Sequence, residues 1–187
     1  MSAKETEEII KNIPKPKVVV FHGYESNLDK DRYKNIQFET VGHNIDHKNM
    51  SFEEIESKYT ATIDEIIKDD RDVILLGHSL GGWWARYFAK NRKLIALLLN
   101  PVVDITKVQI PLNLNISSYI ENQYPVEYTP SVSLTYYIEM GDEVIEFKNV
   151  IPKLEEEGRV VEIEGGSHQI SYPEKIYELL EYISNKV

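Results

Sequence analysis

The run Asp72-Val73-Ile74-Leu75-Leu76-Gly77 constrains this chain more than any other stretch, because its interior is wholly apolar and a helical pattern, Leu80 to Asn91, follows almost at once. A strand that is apolar on both faces has to be covered on both faces, the condition of a central strand in a parallel sheet flanked by helices. The same signature recurs at Lys17 to His22, ended by Gly23, and at Leu94 to Leu99. Val132 to Met140 and Val160 to Ile163 read as further strands, and Asn35 to Val41 as a shorter one stopped by Gly42.

Helical patterns fall between these runs. Ser51 and Glu54 form a capping box ahead of an apolar stripe made by Phe52, Ile55, Tyr59, Ile63, Ile66 and Ile67. Val144 to Glu157 repeats apolar residues at helical spacing, disturbed by Pro152 and ended by Gly158, and a last helix starts at Pro173. The expected architecture is an open, mostly parallel α/β sheet of five to six strands with helices on both faces, whose ligands bind outside the carboxyl ends of the strands. Residues 100–130 hold Pro101, Pro111, Pro125 and Pro130 with no sustained period, and read as a long excursion able to cover an active site.

With 187 residues the chain is sized for one domain, expected over 17–187 behind a charged leader at 1–16. That leader alternates lysine and glutamate and lacks the apolar core of a secretory signal, so the expected compartment is the cytoplasm. No apolar run is long enough to span a bilayer, so no membrane association is expected. A net charge of −10 disfavours nucleic acid as a partner. The absence of cysteine excludes disulfides, thiolate metal sites and cysteine nucleophiles. Nothing points to an oligomeric state.

Gly77-His78-Ser79-Leu80-Gly81 has the form G-x-S-x-G and lies between a buried strand and a helix, where that motif has mechanical meaning. A sharp turn there presents the Ser79 hydroxyl above the sheet edge, and the flanking glycines let the helix approach the strands. The simpler role for Ser79 is to cap the helix. A serine nucleophile needs a base, and His168 follows the last strand within Glu164-Gly165-Gly166-Ser167-His168. The acid that orients the histidine is expected after the strand that precedes it, at Asp142, with Asp104 and Glu143 as the other positions.

Two donors are expected to form an oxyanion hole, the backbone N–H groups of Leu80 and Tyr24, with His22, Gly23 and His78 close to the substrate. Of the remaining histidines, His43 and His47 sit in a polar loop where surface or supporting roles suit them. No metal site is expected, because the histidines lack ligand spacing. Trp83 and Trp84 read as packing, and Tyr119 and Tyr124 as loop tyrosines near a substrate pocket.

Phe21-His22-Gly23-Tyr24, Ser79-Leu80-Gly81-Gly82-Trp83-Trp84-Ala85, Leu99-Asn100-Pro101-Val102, Gly141-Asp142-Glu143-Val144 and the His168 segment occur in this order along the chain. In that ordered set the chain resembles the α/β-hydrolase superfamily and, within it, the small YqiA-like (UPF0227) esterases. The resemblance implies a triad of Ser79, Asp142 and His168, an oxyanion hole from Tyr24 and Leu80, hydrolysis of a small-molecule ester or thioester, no cofactor and little or no lid. His78 and the Trp83-Trp84 pair depart from that family's pattern, which bears on substrate preference. The competing expectations are a binding or regulatory protein on the same scaffold and an acyltransferase that uses an acceptor other than water.

Overall fold

The computed structural model describes residues 15–69, 71–110, 112–122 and 133–185. Most of the charged leader, the prolines at 111, 125 and 130, and Tyr124 lie outside the described residues.

The strands are β1 (Lys17–Phe21), β2 (Thr40–Gly42), β3 (Val73–His78), β4 (Ile95–Leu99), β5 (Leu134–Glu139) and β6 (Arg159–Ile163). They form one sheet in the order β2-β1-β3-β4-β5-β6, and every neighbouring pair is parallel. The helices are α1 (Asp31–Lys34), α2 (Phe52–Lys68), α3 (Leu80–Arg92), α4 (Ile116–Asn122), α5 (Ile151–Glu157) and α6 (Pro173–Ser184). Phe21 pairs with Gly77, His78 with Leu99 and Leu99 with Tyr137, so the carboxyl ends of four strands lie side by side. This is the open parallel α/β sheet that the apolar runs lead one to expect, of the α/β-hydrolase type that the resemblance implies.

Alternation along the strands divides the core in two. Val19, Phe21, Leu75 and Leu98 face α2 and α3, where they pack with Tyr59, Trp84 and Phe88. Val18, Val20, Leu76 and Leu97 face the other way, against Ile176, Leu180 and Ile183 of α6. Complete burial of Ile176 and Leu180 stabilises the docked helix by about 1.5–3 kcal/mol per side chain. Trp83 and Trp84 are buried in the α3 layer, and Tyr119 of α4 packs on both indoles, so this tyrosine is core rather than an exposed loop residue.

Several boundaries differ from the sequence expectation. The short second strand is Thr40–Gly42 rather than Asn35 to Val41, because Ile36 and Phe38 are spent on the core face that also holds Tyr33 of α1. The helix expected from Val144 starts only at Ile151. Before it, Asp142 Oδ1 accepts the N–H groups of Val144 and Ile145 (2.7 and 2.8 Å), which turns the chain away from a helical path. Pro152 stands in the first turn of α5, where proline starts a helix rather than disturbs one. The excursion after β4 carries a 3₁₀ turn, Ile105–Lys107, and α4. Among the described residues, no helix is long and apolar enough to cross a membrane.

Candidate active site

Ser79 joins β3 to α3 at φ 56° and ψ −122°, a left-handed backbone conformation that costs a non-glycine residue of order 1–3 kcal/mol. The surroundings enforce it. The Ser79 N–H donates to Leu99 O (3.0 Å), and Ser79 O accepts from Gly82 and Val102 (2.9 Å each). A Cβ on Gly77 would overlap the carbonyl of Gly81, and one on Gly81 would overlap the carbonyl of Phe21, so strand and helix can cross this closely only with glycine at both positions. The Ser79 side chain makes no capping hydrogen bond to α3. Its hydroxyl is therefore available for other partners.

That hydroxyl lies 2.9 Å from His168 Nε2, and His168 Nδ1 lies 2.7 Å from Asp142 Oδ2. With Nδ1–H donating to the carboxylate, Nε2 is left as the acceptor for the serine proton. The Asp142 side chain is 1% exposed, and its other oxygen holds the Val144 and Ile145 amides, so one carboxylate fixes both the imidazole and the loop beside it. Glu143 Oε2 accepts from the backbone N–H of His168 at 3.1 Å and holds its loop rather than its ring. Asp104 caps the 3₁₀ turn through Thr106 and does not reach the histidine.

Leu80 opens α3, so its N–H has no carbonyl partner within its own helix. Gly23 passes so close that a Cβ there would sit 3.1 Å from Ser79 Cβ. Gly23, Tyr24, Ser79, Leu80 and His168 together line a pocket of about 170 Å³ at the carboxyl edge of the sheet. Two excursion residues, Ile110 and Leu112, form part of its wall, and the Asn113 N–H donates to the Tyr24 hydroxyl (3.0 Å).

His22 does not join this pocket. It is buried, its Nε2 accepts from Ile45 N–H (2.7 Å) and its Nδ1 donates to Gly23 O (2.8 Å), which corrects the expected contact with substrate. Its two bonds brace the Gly23 turn against the loop after β2. His47 packs edge-on against His22, with ring centroids 5.4 Å apart, and is buried rather than on the surface. His78 borders the pocket, yet both ring nitrogens are committed: Arg32 Nη1 donates to Nδ1 (2.9 Å) and Nε2 donates to His168 O (2.6 Å). Burial, and then the Arg32 cation, hold the His78 pKa well below the usual imidazole value.

Sequence reasoning missed the residues that hold the His168 loop. Arg32, buried in α1, also donates to Gln169 Oε1 (2.8 Å). Glu139 ends β5 with no solvent exposure and accepts the N–H groups of Ser167 (2.7 Å), Ser171 (2.9 Å) and Tyr172 (3.2 Å) and the Tyr137 hydroxyl (3.1 Å). Asn100 Oδ1 accepts from Glu139 N–H (2.8 Å), and its Nδ2 donates to Ser167 O (3.0 Å). His168 is thus suspended between anchored residues on either side.

The buried histidines predict an acid sensitivity. Burial, reinforced by His22, holds His47 at about 4 instead of 6.5. Between those values the unfolded chain takes up a proton that the folded protein refuses, so stability falls as pH drops from about 6.5 to about 4. For His47 alone the loss is about 3 kcal/mol. Urea unfolding across this range should show it, with a visibly shallower slope in His47→Gln; an identical slope in that variant would exclude His47 as a source.

Residues 17–137 match the model of a family described as Uncharacterised protein family (UPF0227). No curated protein matches the chain in sequence. Among solved structures the chain is similar to Est1E from Butyrivibrio proteoclasticus, described with bound ferulic acid (TM-score 0.69, 15% identity, 94% of this chain and 91% of that one). It is also similar to the Paleococcus ferrophilus monoacylglycerol lipase (TM-score 0.69, 15% identity, 94% and 97%). A third is FphF, a fluorophosphonate-binding serine hydrolase of Staphylococcus aureus (TM-score 0.67, 15% identity, 91% and 84%). At such identities the likeness is one of fold.

Proposed function

We propose, proceeding from the fact that this chain belongs to the uncharacterised protein family UPF0227, that it is a serine hydrolase that cleaves a carboxylic ester or thioester of a small molecule. The observation that carries this reading is the unbroken chain Ser79 Oγ, His168 Nε2, His168 Nδ1 and Asp142 Oδ2, with links of 2.9 and 2.7 Å, at a nucleophile held in strained backbone. A helix cap or a glycine turn has no use for a buried imidazole and a buried carboxylate in series. The serine hydrolase and the lipase of similar fold support the reading by analogy.

In this mechanism Ser79 attacks the carbonyl carbon while His168 Nε2 takes its proton, and Asp142 stabilises the imidazolium that forms. The negative charge on the tetrahedral oxygen falls to the N–H groups of Leu80 and Tyr24, at the start of α3 and on the turn after β1. His168 returns the proton to the leaving alcohol or thiol, and water repeats the sequence to free the acid and Ser79.

The test is covalent labelling with a fluorophosphonate. Native protein is expected to gain one adduct, mapped to the peptide that carries Ser79, and Ser79→Ala none. A folded native protein that takes up no probe, or takes it up elsewhere, would overturn the assignment.

A further inference from the structure

The pocket at Ser79 has two chemically different sides. Toward β1 its wall is polar, with Glu25, Ser26 and Lys30 and, next to the base, Gln169. Toward β4 and β5 it is apolar, made by Val102, Val108, Ile110, Leu112 and Val144. The apolar side does not end there. Val102 and Val108 are also walls of a second cavity of about 420 Å³ between the 3₁₀ segment and the loop after β5, where Val103, Ile145 and Val150 supply the rest of the apolar lining and Asp104, Lys107, Glu146 and Asn149 stand among its polar residues.

This second cavity is tied to the catalytic residues. The Val102 N–H donates to Ser79 O (2.9 Å), so the shared wall is one residue contact from the nucleophile. The opposite wall starts at Val144 and Ile145, whose amides are held by Asp142. Gln109 N–H donates to Val144 O (3.2 Å) and stitches the two walls together. The pocket at Ser79, about 170 Å³, is smaller than sites that enclose a whole small-molecule ligand, roughly 300–1,000 Å³, whereas the adjoining cavity, about 420 Å³, falls within that range.

The geometry points to an ester or thioester with a medium-chain apolar acyl group, which lies along Val102 and Val108 into the second cavity, and a polar leaving group on the Gln169 side. The division follows from the chemistry: the leaving atom takes its proton from His168 Nε2, and the polar wall is the one that carries the residue after His168. This inference rests on the serine hydrolase reading and adds the substrate class to it.

The experiment is a series of p-nitrophenyl esters from acetate to octanoate, with the native protein, Val103→Trp and Asn149→Trp, each checked for an unchanged melting temperature. Val103 and Asn149 line the second cavity without bordering the pocket at Ser79, and Asn149 is exposed, so an indole there does not burden the core. For the native protein, kcat/KM is expected to rise about fourfold per methylene until the cavity is filled, the worth of one buried CH₂. Either tryptophan is expected to lower the octanoate-to-acetate ratio at least tenfold. A flat native series, or a ratio that neither variant moves, would overturn the acyl assignment while Ser79-dependent acetate hydrolysis persists. Absence of turnover on every ester would instead remove the hydrolase reading, and this inference with it.

Discussion

Ser79→Ala is expected to lower kcat for ester hydrolysis by about four to six orders of magnitude, the loss seen when the nucleophile of a serine triad is removed. The Ser79 hydroxyl is the one group that His168 Nε2 contacts at hydrogen-bond distance among the described residues, so no neighbour can take over the attack. What remains is the contribution of the oxyanion donors and of binding. The same position should separate catalysis from stability. Alanine keeps a Cβ at φ 56° and inherits the strain, whereas Ser79→Gly relieves it and should be more stable than Ser79→Ala by about 1 kcal/mol. Turnover against pH and chemical denaturation of both variants check the two halves. Retention of a tenth of the native rate in Ser79→Ala would place the nucleophile elsewhere.

That Ser79, His168 and Asp142 could meet is legible in the sequence because each follows a strand and lies within two residues of a glycine, a local signal that survives without the fold. The same holds for the sheet, since runs such as Val73 to Leu76 admit few alternatives. What was not legible depends on distant partners. Nothing near Arg32 in the sequence sets it apart from a solvated charge, and its buried role appears only when α1 lies beside His78 and Gln169. The place of His22 at the end of β1 points it toward substrate, but its orientation is decided by Ile45 N–H, far along the chain. Phe147, Val150, Ile151 and Leu154 carry the helical spacing within Val144 to Glu157. Their periodicity recorded burial, since all four pack in or against the α2–α3 core layer although α5 starts only at Ile151.

Glu139 is the case where sequence statistics point the wrong way, because an acidic residue at a strand end is ordinarily exposed. Burying a carboxylate without a cation is costly, and it persists here because its two oxygens satisfy three backbone N–H groups and a phenol. Glu139→Ala removes those acceptors at one stroke and takes from the amides of Ser167, Ser171 and Tyr172 the carboxylate that gathers them. At about 1–3 kcal/mol for each amide that loses its acceptor, a loss of about 4 kcal/mol or more is expected, a drop in melting temperature of about 10 °C for a chain of this size. Glu139→Gln is the sharper probe. It preserves volume and one acceptor but turns an NH₂ group toward backbone donors, so the loop is displaced more than the fold is weakened. If Glu139 and Asn100 together set the position of His168, this variant should lose about a hundredfold in the rate of Ser79 phosphonylation by fluorophosphonate, with a smaller stability change than Glu139→Ala. Equal labelling rates in Glu139→Gln and native protein would mean that the loop is positioned from its other anchors, Glu143 and the Arg32–His78 pair.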